Sequence, residues 1–231
     1  MSKLLHRVNT LIWSLIWRTK KFYDVDSLVE AHFARWSDVN HQNRKGLQIA
    51  LQNLDRRNSS IVETGTSAYG TDSSRLFDAF VRSFGGKFFA VDRNVYPSKR
   101  LKIAKSRNTQ FFVMDSVEFL GNLEQLTSVK NVNLFYLDSW DVDWANPLAS
   151  AEHGRNEMNA IRHLLTRGTI LVIDDTPASI GWIPKEGKAA AARFQEEYGV
   201  LPGKGAFFEQ VLDDLEFSVL HHDYNLVLKF S

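Results

Sequence analysis

Carboxylates recur at one kind of place along this chain, directly after a short apolar run. Glu63 follows Ile61-Val62, Asp92 follows Phe88–Val91, Asp115 follows Val113-Met114, Asp138 follows Phe135–Leu137, and Asp174-Asp175 follow Leu171–Ile173. Short apolar runs bounded by polar residues are the mark of buried strands, so each acid stands where a strand would end. If those ends are neighbours, Asp138, Asp174 and Asp175 converge with Asp141 close by. Like charges held together are unfavourable unless a proton or a cation offsets them, and an all-oxygen ligand set selects a hard ion such as Mg²⁺. The other reading is a set of unrelated loop aspartates, each forming a turn or capping a helix. The chain contains no cysteine, which excludes a thiol nucleophile, a disulfide framework and any thiolate metal site.

Glu63-Thr64-Gly65-Thr66-Ser67 through Gly70-Thr71 is a glycine-bearing turn after the first expected strand. Glycines there let the backbone turn tightly and approach a ligand. The Gly65-x4-Gly70 spacing matches a phosphate loop, but Thr71-Asp72 replaces the required Lys-Ser/Thr, and no glycine stands two residues after Gly65 as a dinucleotide fingerprint needs. Asp92, at the end of the next apolar run, is placed to hold a ribose diol bidentately. Asp115-Ser116 either caps the next helix or touches an adenine.

The elements that must carry these residues alternate. Apolar runs at 60–62, 87–91, 110–114, 132–137 and 169–173 are separated by helical stretches at 73–83, 116–126 and 156–166, with a further helix at 188–198 and another from Asp38, as N-cap, to Leu54. That rhythm predicts an α/β, doubly wound, mostly parallel sheet, because parallel neighbours need crossover helices. Segments 217–221 and 225–230, around His222-Asp223-Tyr224, read as a C-terminal antiparallel hairpin, giving seven strands. Ligands of such sheets sit at the carboxyl ends of the strands.

The chain has 231 residues, 44% of them hydrophobic, enough for one globular domain. Its net charge is +1, yet Lys3, Arg7, Arg18, Lys20 and Lys21 place +5 in the first 21 residues, so the rest carries −4 and no whole-surface attraction to nucleic acid is expected. Leu4, Leu5, Val8, Leu11, Ile12, Leu15 and Ile16 recur at helical spacing, which predicts a basic amphipathic helix too short to span a bilayer. Its apolar face either packs on the domain or a second subunit, or, with Trp13 and Trp17, lies at an anionic membrane surface. The organisation read from these features is a helical extension over residues 1–37 and one domain over 38–231, in a cytoplasmic protein with possible peripheral membrane contact or homo-oligomerisation.

Over residues 42–230 the motifs resemble those of class I S-adenosylmethionine-dependent methyltransferases, which have a Rossmann-like sheet. Within that class they resemble most the metal-dependent O-methyltransferases of the catechol O-methyltransferase and macrocin O-methyltransferase types. Leu137-Asp138-Ser139-Trp140 is similar to the family's L-D-x-W, and Gly168–Asp175 to its fifth-strand segment ending in paired acids. The resemblance implies S-adenosylmethionine as cofactor, held by Glu63, Gly65, Ser67, Gly70, Asp92, Asp115 and Ser116, with Glu63 facing the methionine end. It also implies Mg²⁺ on Asp138, Asp174 and Asp175, and a small-molecule or glycan-like acceptor. Where the catechol enzymes have a lysine after the tryptophan, this chain has Asp141, and the macrocin type uses a histidine base. Asp141 and His153, the latter in an expected 146–155 loop, are therefore the candidate catalytic groups, although His153 reads equally as an exposed loop residue. Trp140, Trp144 and Trp182, with loops 177–187 and 201–206, are candidate acceptor walls. Two rivals remain: a nucleotide-sugar glycosyltransferase using Asp141-Val142-Asp143, and a catalytically silent cofactor-binding member.

Overall fold

The computed structural model describes residues 12–55, 58–66, 70–94 and 106–231. Seven strands form one sheet: β1 Ser59–Thr64, β2 Gly86–Asp92, β3 Thr109–Val113, β4 Leu134–Leu137, β5 Ile170–Ile173, β6 Phe217–His222 and β7 Leu226–Phe230. Their order is β3-β2-β1-β4-β5-β7-β6. β1 to β5 pair in parallel, while β7 runs antiparallel to both β5 and β6. The strand order reverses beside β1, between β2 and β4, and so opens a crevice at their carboxyl ends.

Side chains alternate between two cores, as the two-residue strand period requires. Ile61, Phe88, Ala90, Leu134, Tyr136 and Val172 face one core; Val62, Phe89, Val91, Phe135, Leu137 and Leu171 face the other. The first is covered by residues 12–19 (α1, whose start lies outside the described residues), α2 (Val25–Trp36), α3 (Arg44–Gln52) and α4 (Ser73–Phe84). The second is covered by α5 (Ser116–Gly121), α6 (Leu123–Thr127), α7 (Leu148–Ile161) and α9 (Phe208–Val211), while α8 (Lys188–Tyr198) packs in a satellite cluster of Ala151, Phe194 and Phe207. Trp17, Phe22, Val25, Leu28, Val29 and Phe33 belong to the first core, so this part of the expected 1–37 extension shares the hydrophobic interior of the sheet domain.

Other boundaries differ from expectation for local reasons. Asp38 caps no helix: its Oδ1 accepts from the Asn40 backbone N–H in a tight turn, and α3 begins at Arg44. The helix expected over 116–126 is interrupted at Asn122, whose side chain donates to the Glu118 carbonyl. The stretch expected as a loop at 146–155 is the first half of α7, which starts after Pro147. In α1 only Ser14 and Trp17 are buried; Ile12, Trp13, Leu15 and Ile16 are exposed. Residues 1–11 of the predicted amphipathic helix lie outside the described residues.

Candidate active site

Two groups of side chains meet at the carboxyl ends of β1, β2, β4 and β5. The first lines a cleft formed by Gly65, Asp92, Arg93, Ser116, Trp140 and His153, together with Val91 and Ser139. Gly65 has φ 77°, and a Cβ there would overlap the Asp138 carbonyl, so only glycine lets the β1 turn lie against the end of β4. Asp92 is fixed at the lip by two backbone donors, Thr66 N–H (3.0 Å) and Asn94 N–H (2.6 Å), one on each carboxylate oxygen. Trp140, with φ 65°, turns its indole onto the His153 ring at 5.2 Å between centroids. Ser139 donates to Glu157 Oε1 at 2.6 Å, which leaves its oxygen to accept from His153 Nε2 at 2.8 Å; the Ser116 hydroxyl is 3.0 Å from the same nitrogen. A carboxylate at the lip, an indole wall and two hydroxyls suit a flat heterocycle joined to a diol-bearing sugar.

The second group lies deeper, beneath β4 and β5. Lys204 is 1% exposed, and its ammonium sits 2.5 Å from Asp138 Oδ1 and 2.8 Å from Asp175 Oδ2. Burial disfavours a bare ammonium, but Asp138, Asp175 and Asp174 outweigh it and hold Lys204 charged, its pKa raised well above the ordinary value. Asp174 is satisfied differently: Oδ2 accepts from Asn43 Nδ2 (2.6 Å) and the Tyr136 hydroxyl (2.7 Å), and Oδ1 from the Asp175 N–H (2.8 Å). Burial, then the charge of Asp175, pushes the Asp174 carboxyl up. Asp175 adopts φ 42° and accepts from the Tyr224 hydroxyl. Backbone in this region is costly outside glycine and persists where neighbours over-determine it.

Sequence reasoning brought these carboxylates together and expected Mg²⁺ among them; the structure places the Lys204 ammonium between Asp138 and Asp175. Among the described residues, five of the six oxygens of Asp138, Asp174 and Asp175 have a partner and Asp138 Oδ2 has none. Mg²⁺ demands near-octahedral oxygen ligation, and here an ammonium stands among the oxygens that would supply it. Among the described residues no group of three or more His, Asp or Glu side chains is arranged to hold a metal ion. The residues present do not fit the expected magnesium. Lys204 was visible in the sequence as Gly203-Lys204-Gly205, a cation between two glycines, but nothing local names its partners.

Other candidates land elsewhere. Glu63 does not face the cleft: it is fully buried, accepting from Ser73 Oγ at 2.5 Å and from Ser74 Oγ at the start of α4. Burial pushes its carboxyl up to about 8, the two serines pulling the other way. Asp115 caps α5, accepting from the Val117 and Glu118 N–H groups, and pairs with Arg93, which holds its carboxyl below the ordinary range; Ser116, not Asp115, reaches the cleft. His153 is on α7 instead of in a loop, in the wall of the cleft, with Nε2 within hydrogen-bond distance of the Ser116 and Ser139 hydroxyls. Asp141 is exposed on the segment after β4, outside the residues that line the cleft. Asp143 of the D-x-D is used in a turn, accepting from the Ala145 N–H. Gly70 has φ 95° beside the His41 ring, and Ser67 lies outside the described residues. Trp144 packs by its Cβ over Gly187, and Trp182 is partly exposed against the Tyr224 ring. His41, Asn43 and Tyr136 were not singled out from sequence. Asn43 and Tyr136 come from distant elements to share one Asp174 oxygen, and His41 has its pKa lowered by burial against the pull of Asp174, Asp38 and Asp175.

The strand order, with β7 antiparallel beside β5, is that of a Rossmann-like, mostly parallel sheet with an antiparallel closing hairpin, and the solved structures that share this fold include methyltransferases. Among solved structures, the chain is similar to the MycE methyltransferase of mycinamycin biosynthesis in complex with Mg, S-adenosylhomocysteine and mycinamycin VI, at 15% identity and TM-score 0.61, covering 92% of this chain and 56% of that one. The chain thus spans about half the length of MycE. It is also similar to the Podospora anserina methyltransferase PaMTH1 bound to S-adenosylhomocysteine (11% identity, TM-score 0.56, 100% and 96% covered) and to the TDP-rhamnose 3′-O-methyltransferase CalS11 of calicheamicin biosynthesis (16%, 0.52, 99% and 95%). No protein-family model matches the sequence, and no curated protein sequence matches it.

Proposed function

We propose that this protein is an S-adenosylmethionine-dependent O-methyltransferase acting on a hydroxyl of a small-molecule or glycan-like acceptor. The observation that carries the reading is the cleft at the strand-order reversal, where Asp92, Ser116 and Trp140 converge beside the Gly65 turn. Asp92 suits a ribose diol, the Trp140 indole an adenine face, and Ser116 its edge. The structures it resembles support this, since MycE and PaMTH1 are described with S-adenosylhomocysteine, and CalS11 as acting on TDP-rhamnose. When bound, S-adenosylmethionine supplies an electrophilic methyl group on sulfonium sulfur. The protein's part is to hold donor and acceptor in line and to exclude water, which proximity alone makes a large contribution.

Calorimetric titration with S-adenosylhomocysteine, beside NAD and a uridine-diphosphate sugar, tests the reading. Saturable binding of S-adenosylhomocysteine alone, weakened at least about tenfold in Asp92→Ala and in Trp140→Ala by loss of a bidentate or stacking contact, is the expected result. Binding of the sugar nucleotide instead would replace the methyltransferase reading with the glycosyltransferase one.

For α1 the reading is contact with an anionic lipid surface. Exposed Ile12, Leu15 and Ile16 lie next to exposed Arg18, Lys20 and Lys21, which is the pairing of apolar and cationic groups that an interfacial helix uses. No helix among the described residues is long and apolar enough to cross a membrane. Co-sedimentation with phosphatidylserine vesicles, lost in Ile12→Ser/Leu15→Ser/Ile16→Ser, is the expected outcome; an unchanged monomer–dimer balance separates it from self-association.

A further inference from the structure

Lys204 is placed by its backbone. Its N–H donates to the Asp175 carbonyl at 3.1 Å, and the Gly205 N–H donates to Thr176 Oγ1 at 3.0 Å, so the segment is tied to the turn after β5. Glycines allow the approach: a Cβ on Gly203 would overlap the Asp175 carbonyl, one on Gly205 the Thr176 side chain, and one on Gly154 of α7 the Lys204 carbonyl. Three close passages thus converge on the residue whose ammonium enters between Asp138 and Asp175. A surface lysine that had merely folded inward would not have its main chain fitted this way.

We infer that Lys204 is a built-in cation that takes the place of a divalent metal ion, so that this site is metal-free and loses that property when the ammonium is removed. The distances to Asp138 and Asp175 are those of charge-assisted hydrogen bonds, and a buried carboxylate pair needs such a partner. An ion entering between these acids would have to expel the ammonium, which among the described residues forms ion pairs with Asp138 and Asp175 alone. Lys204 is too deeply buried to touch an acceptor, which makes it a positioning residue: it holds Asp138 through Oδ1, while Oδ2 stays buried and without a hydrogen-bond partner among the described residues. The inference deepens the methyltransferase reading, and rests on it only for the consequence that methyl transfer proceeds in the presence of chelator.

Mn²⁺ is the probe, followed by loss of its free-ion paramagnetic resonance signal on addition of the full-length protein. The native chain should leave the signal unchanged. Lys204→Ala, checked for folding by circular dichroism, should take up one equivalent per chain, and Lys204→Ala/Asp138→Asn should lose it again. Uptake by the native chain that Asp138→Asn abolishes overturns the inference, as does a folded Lys204→Ala that binds none. Should Lys204→Ala fail to fold, the native result decides alone. Titration of the native chain with S-adenosylhomocysteine in EDTA is read separately: failure there removes the methyltransferase reading and leaves the Mn²⁺ result standing.

Discussion

Replacing Glu63 by glutamine should remove a pH dependence that the native fold carries between β1 and α4. The carboxyl is fully buried and, among the described residues, is hydrogen-bonded by the Ser73 and Ser74 hydroxyls, and burial raises its pKa from 4.5 to about 8. With the pKa raised, the folded chain keeps the proton after the unfolded chain has released it. The favourable contribution is therefore complete below about pH 4.5, falls as pH rises, and is gone above about pH 8. Each pH unit in that window costs about 1.4 kcal/mol, or about 5 kcal/mol across it, a large share of the roughly 5–15 kcal/mol that holds a domain folded. Glutamine keeps the shape, can donate to one serine and accept from the other, and does not titrate. Urea unfolding of both chains from about pH 5 to about pH 9 should give a stability difference that grows in favour of Glu63→Gln by about 1.4 kcal/mol per pH unit and levels off near pH 8. A difference that stays flat across this range would refute the reasoning, because a carboxylate tolerated as an anion beneath the glycine turn would mean that the serines outweigh burial.

The acid–lysine cluster yields two further predictions. Tyr136→Phe leaves Asp174 Oδ2 with Asn43 as its remaining donor and should cost about 1–3 kcal/mol in denaturant unfolding, with little change in S-adenosylhomocysteine affinity. Gly154→Ala drives a methyl group into the Lys204 carbonyl and should lower stability by about 1–3 kcal/mol as an overpacked site; an unchanged thermal midpoint would show that the 203–205 segment moves freely. In the cleft, His153→Ala frees Ser116 and Ser139 and removes the ring against Trp140, so cofactor affinity should fall while Mn²⁺ behaviour is unaffected.

Local pattern carried a great deal of this structure. Apolar runs interrupted by helical stretches located five parallel strands and a closing hairpin to within a few residues, because the two-residue and 3.6-residue periods are written in neighbouring side chains. The acids at strand ends were legible for the same reason: polar residues cannot continue a run buried on both faces. The Gly65 turn was legible because its backbone demands a glycine. Where a single residue could serve two local roles, the sequence left both open. Asp115 and Ser116 are adjacent, and only the fold shows that the first caps α5 while the second turns to the cleft.

What tertiary structure alone decided is the identity of the partners. Lys204 lies 66 residues from Asp138, Asn43 lies 131 from Asp174, and Ser116 lies 37 from His153. No periodicity connects such pairs, because their meeting depends on where crossovers return the chain and on glycines that permit close passage. Three converging carboxylates require compensating charge on electrostatic grounds, and the sequence by itself established that requirement. Which groups surround these acids is decided by packing, which here delivers the Lys204 ammonium to Asp138 and Asp175.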